Sequence, residues 1–196
     1  MAKRRVMFGD QEVEIPDFNF RLLPLLGAAL ALWLFTGTYM VGPDEIGVVR
    51  TFGEYTRVAQ SGLNYHFPYP IEQVNTPAVT EVKRIEIGFR TLRNGQYRSV
   101  EKESLMLTGD ENIVDAEMIV QYKIKDPVKY LFRIVEPELT VRQAAEASLR
   151  TVVGRNKIDE TLTTGKFKIQ EETKIQLQLI LNKYESGMHV VAVQLQ

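Results

Sequence analysis

The 196-residue chain contains no cysteine and only two histidines, His66 and His189. That excludes disulfides and thiolate-ligated metals, and it starves most metal, triad and general-base chemistry of its usual side chains. There is no surplus of positive charge either: 24 Lys and Arg against 25 Asp and Glu leave a formal net charge of −1. Without a basic footprint nothing points to a nucleic-acid partner. No G-x-S-x-G occurs, and Gly165-Lys166 lacks the upstream glycine and the following Ser/Thr of a phosphate-binding loop. Only carboxylates are plentiful, so on sequence a hydrolase built on a carboxylate pair stays open as an alternative.

The densest carboxylate stretch is "LTGDENIVDAEMIVQYKIKDP", with Asp110, Glu111, Asp115 and Glu117 close together. From Val114 apolar residues fall on alternate positions (Val114, Ala116, Met118, Val120, Tyr122, Ile124), with Ile119 the one exception between them. That period argues a half-buried strand, with Asp115 and Glu117 on the face away from the core. Thr108 to Asn112 is turn chemistry, in which Gly109 can take positive φ. Asp110 and Asn112 resemble the start of a calcium loop, but Val114 stands at the third ligand position. The stretch therefore reads as a turn and a strand, with no metal and no catalytic residue expected.

One long hydrophobic run is present. Leu22 to Val41, "LLPLLGAALALWLFTGTYMV", holds no charge. As a helix it would rise about 30 Å, the depth of a bilayer's hydrocarbon core. It is longer than a signal peptide's apolar region and ends in a poor cleavage site. It reads as an uncleaved anchor carried by Leu22, Leu26, Leu30, Trp33, Phe35, Tyr39 and Val41, with Tyr39 suited to the interface. Lys3, Arg4, Arg5 and Arg21 precede it and only Arg50 and Arg57 follow closely. The positive-inside rule then places the N-terminus in the cytoplasm and the bulk of the chain outside.

Beyond the run, residues 45–125 are mainly β in pattern, with Asn94-Gly95 as a hairpin turn. "SGLNYHFPYPIEQV" is rich in aromatics and proline. Its Tyr65, Phe67 and Tyr69 admit two readings: a proline-shaped turn packed on its own domain, or a wedge in the outer leaflet beside the anchor. After Asp126, a candidate N-cap ahead of Pro127, the period becomes helical. Val141, Ala144, Ala145, Ser148, Leu149 and Val152 make one stripe. Ile158 to Leu162 suits a short helix and Phe167 to Ser186 a long one, stopped by Gly187. "MHVVAVQL" returns to strand. Strands, then helices, then a strand argue an α+β fold. With no turn after this last strand, the chain is expected to be a piece of something longer.

"GPDEIGVVRTFGEYTRVAQSGLNYHFPYPIEQV" resembles the opening of the SPFH (band 7/prohibitin) family. The carriers are Glu45, Gly47, Val48, Val49, Phe52, Gly53, Gly62, Leu63, Pro68 and Val74. "LMLTGDENIVDAEMIVQYKIKDPVKYLF", "RQAAEASLRTVVG" and "IDETLT" are similar to the HflK branch in particular. The resemblance covers residues 42–196. It implies a cytoplasmic tail (1–21), a transmembrane helix (22–41), a β-rich first SPFH subdomain (42–112) and an α+β second subdomain (113–196). It also implies a non-catalytic scaffold without cofactor, single-pass in the bacterial inner membrane with its bulk periplasmic. Such a scaffold oligomerises with an HflC-like subunit and modulates the membrane ATP-dependent protease FtsH. A stomatin- or prohibitin-like membrane organiser with no protease partner is the rival within the family.

Overall fold

A computed structural model of the chain describes residues 5–8, 11–14, 23–92, 94–158 and 165–196. In the N-terminal tail, β1 (Arg5–Phe8) and β2 (Gln11–Glu14) pair as an antiparallel hairpin. Helix α1 runs Leu23–Phe35. It is shorter than the expected span: Thr36 and Gly37 turn the chain, and Thr38–Val41 become strand β3. The reason is a long-range pairing. Gly37 is buried, and a Cβ there would collide with the His66 carbonyl. β3 pairs with β6 (Gly62–Tyr65), which lies far along the chain. Leu22 lies outside the described residues.

The first lobe is completed by β4 (Gly47–Thr51), the centre of a three-stranded sheet with β5 (Glu54–Ala59) and β7 (Glu72–Asn75) on either side. Val41, Val48, Val49 and Ala59 form its buried interior. Phe52 and Gly53 take positive φ at the tight β4–β5 turn.

The second lobe is built on a sheet of order β14-β13-β8, formed by Met188–Leu195, Met118–Ile124 and Lys83–Ile87. Because β8 pairs with β13, this sheet crosses residue 112, where the sequence reading divides the two subdomains. β9 (Phe89–Thr91) and β10 (Tyr97–Ser99) form a hairpin around Asn94-Gly95, and Gly95 takes positive φ. The one-turn α2 (Glu101–Ser104) leads into the β11 (Leu105–Leu107) and β12 (Ile113–Asp115) hairpin.

The run from Val114 is thus two strands. β12 turns back on β11, and the chain is re-anchored by the bond from Ala116 N–H to the Ser104 carbonyl before β13 begins. In the turn between β11 and β12 the positive φ belongs to Glu111. Gly109 serves close approach: a Cβ there would lie 3.1 Å from the Gly154 carbonyl. As a central strand β13 is buried on both faces at Ile119, the residue that breaks the alternation.

Helices α3 (Pro127–Phe132), α4 (Pro137–Val153) and α5 (Lys166–Lys183) belong to this lobe. Asp126 caps α3, accepting from the Val128 and Lys129 N–H groups with Pro127 at the first position. The predicted α4 stripe is buried in full, and α5 contributes Ile169, Thr173, Leu177 and Leu181. Together with Ile85, Ile87, Met118, Val120 and Tyr122 they make one core. Of the helix expected from Ile158, residues 159–164 lie outside the described part.

A candidate membrane-facing site

α1 is composed of Leu, Pro, Gly, Ala, Trp and Phe on every side, and none of its residues is buried. Leu25, Leu26, Leu30, Leu32 and Phe35 are each more than half exposed. A helix that is apolar all round belongs in a protein core or in lipid, and no core of the described residues covers this one. Its 13 residues rise about 20 Å. Among the described residues no helix is long and apolar enough to cross a membrane.

The loop from Tyr65 to Pro70 is fastened to the last turn of α1. Trp33 Nε1 donates to the Tyr69 carbonyl at 3.2 Å, and the Tyr65 hydroxyl donates to the Leu34 carbonyl at 3.1 Å. The His66 N–H donates to the Gly37 carbonyl at 2.9 Å, and the His66 ring sits 5.2 Å from that of Tyr39. The Tyr69-Pro70 bond is cis. The aromatic loop is therefore packed on its own chain through its backbone, the Tyr65 hydroxyl and the His66 ring, while much of its aromatic surface stays open: Tyr65, Phe67 and Tyr69 are 44%, 50% and 71% exposed.

An ion pair fixes the loop from below. Glu72 is buried at 4% exposure. It accepts from Arg57 Nη1 at 2.8 Å, from the Phe67 N–H at 2.8 Å and from the Thr51 hydroxyl at 3.2 Å. The second guanidinium nitrogen of Arg57 donates to the Tyr65 carbonyl at 2.9 Å. The Arg57 hydrogen bond, helped by those from Phe67 and Thr51, holds the Glu72 carboxyl below its ordinary pKa against the effect of burial. Nothing in the spacing of the sequence marks this pair.

Two further residues join the exposed apolar surface. Met40 and Leu63 are register partners across β3 and β6, and they are 79% and 81% exposed. Phe35 at the end of α1, and Phe67 and Tyr69 in the loop fastened to its last turn, are exposed as well. Of the expected anchor residues, Leu26, Leu30 and Phe35 lie exposed on α1 and Trp33 is half-covered by the loop. Tyr39 and Val41 lie on β3, with Val41 buried inside the first lobe. Met40 lay within the uncharged run, whereas Leu63 gives a sequence reader no sign of its exposure.

Among the described residues, most of the acidic groups in the two larger clefts already hold partners within the chain. A cavity of about 620 Å³ between the lobes is lined by Ile46, Val58 and the α3 and β14 starts. Its Asp126 caps α3, and its Glu185 pairs with Lys129 and Arg133. In a second cleft of about 550 Å³, Asp44 accepts from the Thr80 hydroxyl and Glu45 from the Gly42 N–H.

An all-apolar helix leading into two small β-rich and α+β lobes defines a class, and comparison with known proteins agrees with it. Residues 39–196 match the SPFH domain / Band 7 family, to which the chain belongs. Within that family it is HflK-like. It is 38% identical over 168 residues to Protein HflK of Vibrio cholerae, covering 86% of this chain and 38% of the relative. It is 31% identical over 182 residues to the Modulator of FtsH protease HflK of Escherichia coli, covering 92% of this chain and 40% of the relative. Protein HflK of Borreliella burgdorferi is 28% identical over 191 residues, 96% of this chain and 61% of the relative. The chain spans about two fifths of the length of the first two relatives.

Proposed function

We propose that the chain is a non-catalytic, membrane-anchored scaffold. In this reading it assembles with an HflC-like subunit around an FtsH-like membrane protease and limits which membrane substrates reach it. The observation that carries the reading is α1, apolar on every side and covered by nothing in the described chain. A 20 Å helix is shorter than a bilayer core of about 30 Å. The exposed Phe35, Met40, Leu63, Phe67 and Tyr69 supply further apolar surface beyond the helix, so the first lobe rests in the outer leaflet. The charge bias of the flanks orients the N-terminus to the cytoplasm and both lobes to the periplasm of a bacterial inner membrane. The 42–112 and 113–196 divisions remain part of the proposal, with the lipid-proximal role confined to the first lobe (β3 to β7) and contact with neighbours given to the lobe that begins at β8. The partner is supported by the name of the Escherichia coli relative, a modulator of FtsH protease.

The test is an assay of the full-length protein with its partner on a soluble peptide and on a membrane substrate, with and without the protease. The expected result is no hydrolysis by the scaffold alone and altered turnover of the membrane substrate only. Hydrolysis by the scaffold alone, abolished by changing one of its own carboxylates, would make it an enzyme.

A further inference from the structure

The cavity of about 620 Å³ between the lobes has an apolar lining from both sides. Ile46 and Val58 enter it from the first lobe, and Pro127, Val128, Leu181 and Met188 from the second. Val58 is 43% exposed, an apolar side chain with open space before it. The volume lies within the range of about 300–1,000 Å³ that small-molecule ligands occupy. The lobes also touch through Tyr55 of β5 and Phe132 of α3, whose rings meet edge-on at 6.2 Å, so the cavity sits at a joint.

Much of the polar backbone around it is already bonded. The Gly187 carbonyl accepts from the Lys125 and Asp126 N–H groups at 2.8 and 2.9 Å. The Val128 and Lys129 N–H groups donate to the Asp126 carboxylate, each at 3.1 Å. The Met188 N–H donates to the Ser186 hydroxyl at 3.3 Å, and its carbonyl accepts from the Gln178 amide at 3.2 Å. The Ile46 N–H donates to the Pro77 carbonyl at 3.2 Å. A peptide laid here would find few partners for its own N–H and C=O groups, which cost free energy when buried unpaired. An alkyl chain needs none.

The charges point to one kind of head group. Asp126 is committed to the α3 cap. Glu185 is shared by Lys129 at 3.5 Å and Arg133 at 3.3 Å, so that cluster carries one positive charge in excess. Lys125 lines the cavity and has no ion-pair partner among the described residues. Asp44 and Glu45, next to Ile46 in sequence, line the second cleft instead. Glu54 stands four positions along β5 from Val58, about 13 Å away. The unbalanced charge at the cavity is therefore an ammonium.

We propose that the cavity between the lobes binds a fatty-acid anion, with its carboxylate on the Lys125 ammonium and its alkyl chain along Ile46, Val58, Val128, Leu181 and Met188. An unbranched chain with one terminal carboxylate meets both observations. Its methylenes leave water for the apolar lining, and its head accepts a charge-assisted hydrogen bond at the rim. Because both lobes contribute, the bound chain ties them together. The site belongs to the two lobes and does not depend on how the chain assembles.

In the test, full-length protein in lipid nanodiscs is irradiated with a photoactivatable dodecanoate, and the labelled peptides are identified by mass spectrometry. Label is expected on the peptides carrying Val58, Val128 and Met188, in addition to any on α1. Unlabelled dodecanoate should compete for the cavity, and dodecanol, the same chain without the charge, at least about tenfold less well. Lys125→Glu should weaken labelling of the cavity by a similar factor and leave that of α1 unchanged. Val58→Trp, which fills the cavity from an exposed position, should remove it. Thermal melting checks that both variants stay folded, and Lys125→Gln, which removes the charge without reversing it, should give an intermediate loss. Label confined to α1 would mean partition into the bilayer alone and overturns the proposal. So does equal competition by dodecanol, or labelling of the cavity unchanged in Lys125→Glu. Displacement of dodecanoate by a short apolar peptide with a free C-terminal carboxylate, at lower concentration than by dodecanoate itself, would give the cavity to chain ends and overturns it as well.

Discussion

The indole N–H of Trp33 donates to the backbone carbonyl of Tyr69, 36 positions away, at 3.2 Å. That bond joins an uncovered apolar helix to the loop whose aromatic side chains point outward at its foot. Helix and loop are consequently one surface, and whatever solvates one meets the other.

Trp33 is the single tryptophan of the chain and reports on that surface without labelling. In lipid vesicles its emission should be blue-shifted, and lipids brominated near the head group should quench it more than lipids brominated at the chain ends. Quenching by aqueous iodide with no effect of brominated lipid would place the foot of the helix in water.

Orientation is tested with single cysteines in the cysteine-free background. With the outer barrier removed from otherwise intact cells, Gln60→Cys, exposed on the first lobe, should react with an impermeant thiol reagent. Ala2→Cys should be shielded. The reverse pattern contradicts the outward placement of the lobes.

Acid should loosen the aromatic loop through Glu72. Its folded pKa is depressed, chiefly by the Arg57 hydrogen bond, below the value of about 4.3 for a free Glu. The unfolded state therefore binds the proton more readily. The stabilisation is complete above the unfolded pKa and is lost as pH falls through the folded one. Glu72→Gln should lower stability at neutral pH by about 1–3 kcal/mol, because it weakens bonds to a buried acceptor. It should also flatten the acid limb of a melting curve measured in detergent. An acid limb identical in both proteins would mean that another carboxylate sets it.

In the second lobe, Met118 is wholly buried in the core while Glu117 beside it lies outside that core with no side-chain partner among the described residues. Met118→Asp places a charge in that core and should leave the lobe unfolded or aggregated. Glu117→Ala should change stability by no more than about 0.5 kcal/mol. Large losses from both, read by thermal melting, would show that Glu117 has a buried partner.

What could be read in advance follows the same division. The α4 stripe and the Asp126 cap were legible because periodicity and capping are local properties, and each is present as expected. The end of α1 was not. Thr36 to Val41 are apolar enough to continue a helix in lipid, and only the pairing of Met40 with Leu63 makes them a strand. The break at Ala116 likewise depends on Ser104, twelve positions back, and no alternation of side chains reports it. At the site, the aromatic loop was visible in composition. The Arg57–Glu72 pair that holds it comes from strands whose register is set by the fold.

As an assembling membrane scaffold, the chain is expected to work only within a larger complex. The most direct measurement is the mass of the complex after gentle detergent extraction from its own membrane, with the subunits identified. The expected result is one large assembly of many copies, containing an HflC-like subunit and retaining an FtsH-like protease. A monomer or small oligomer free of both would contradict it.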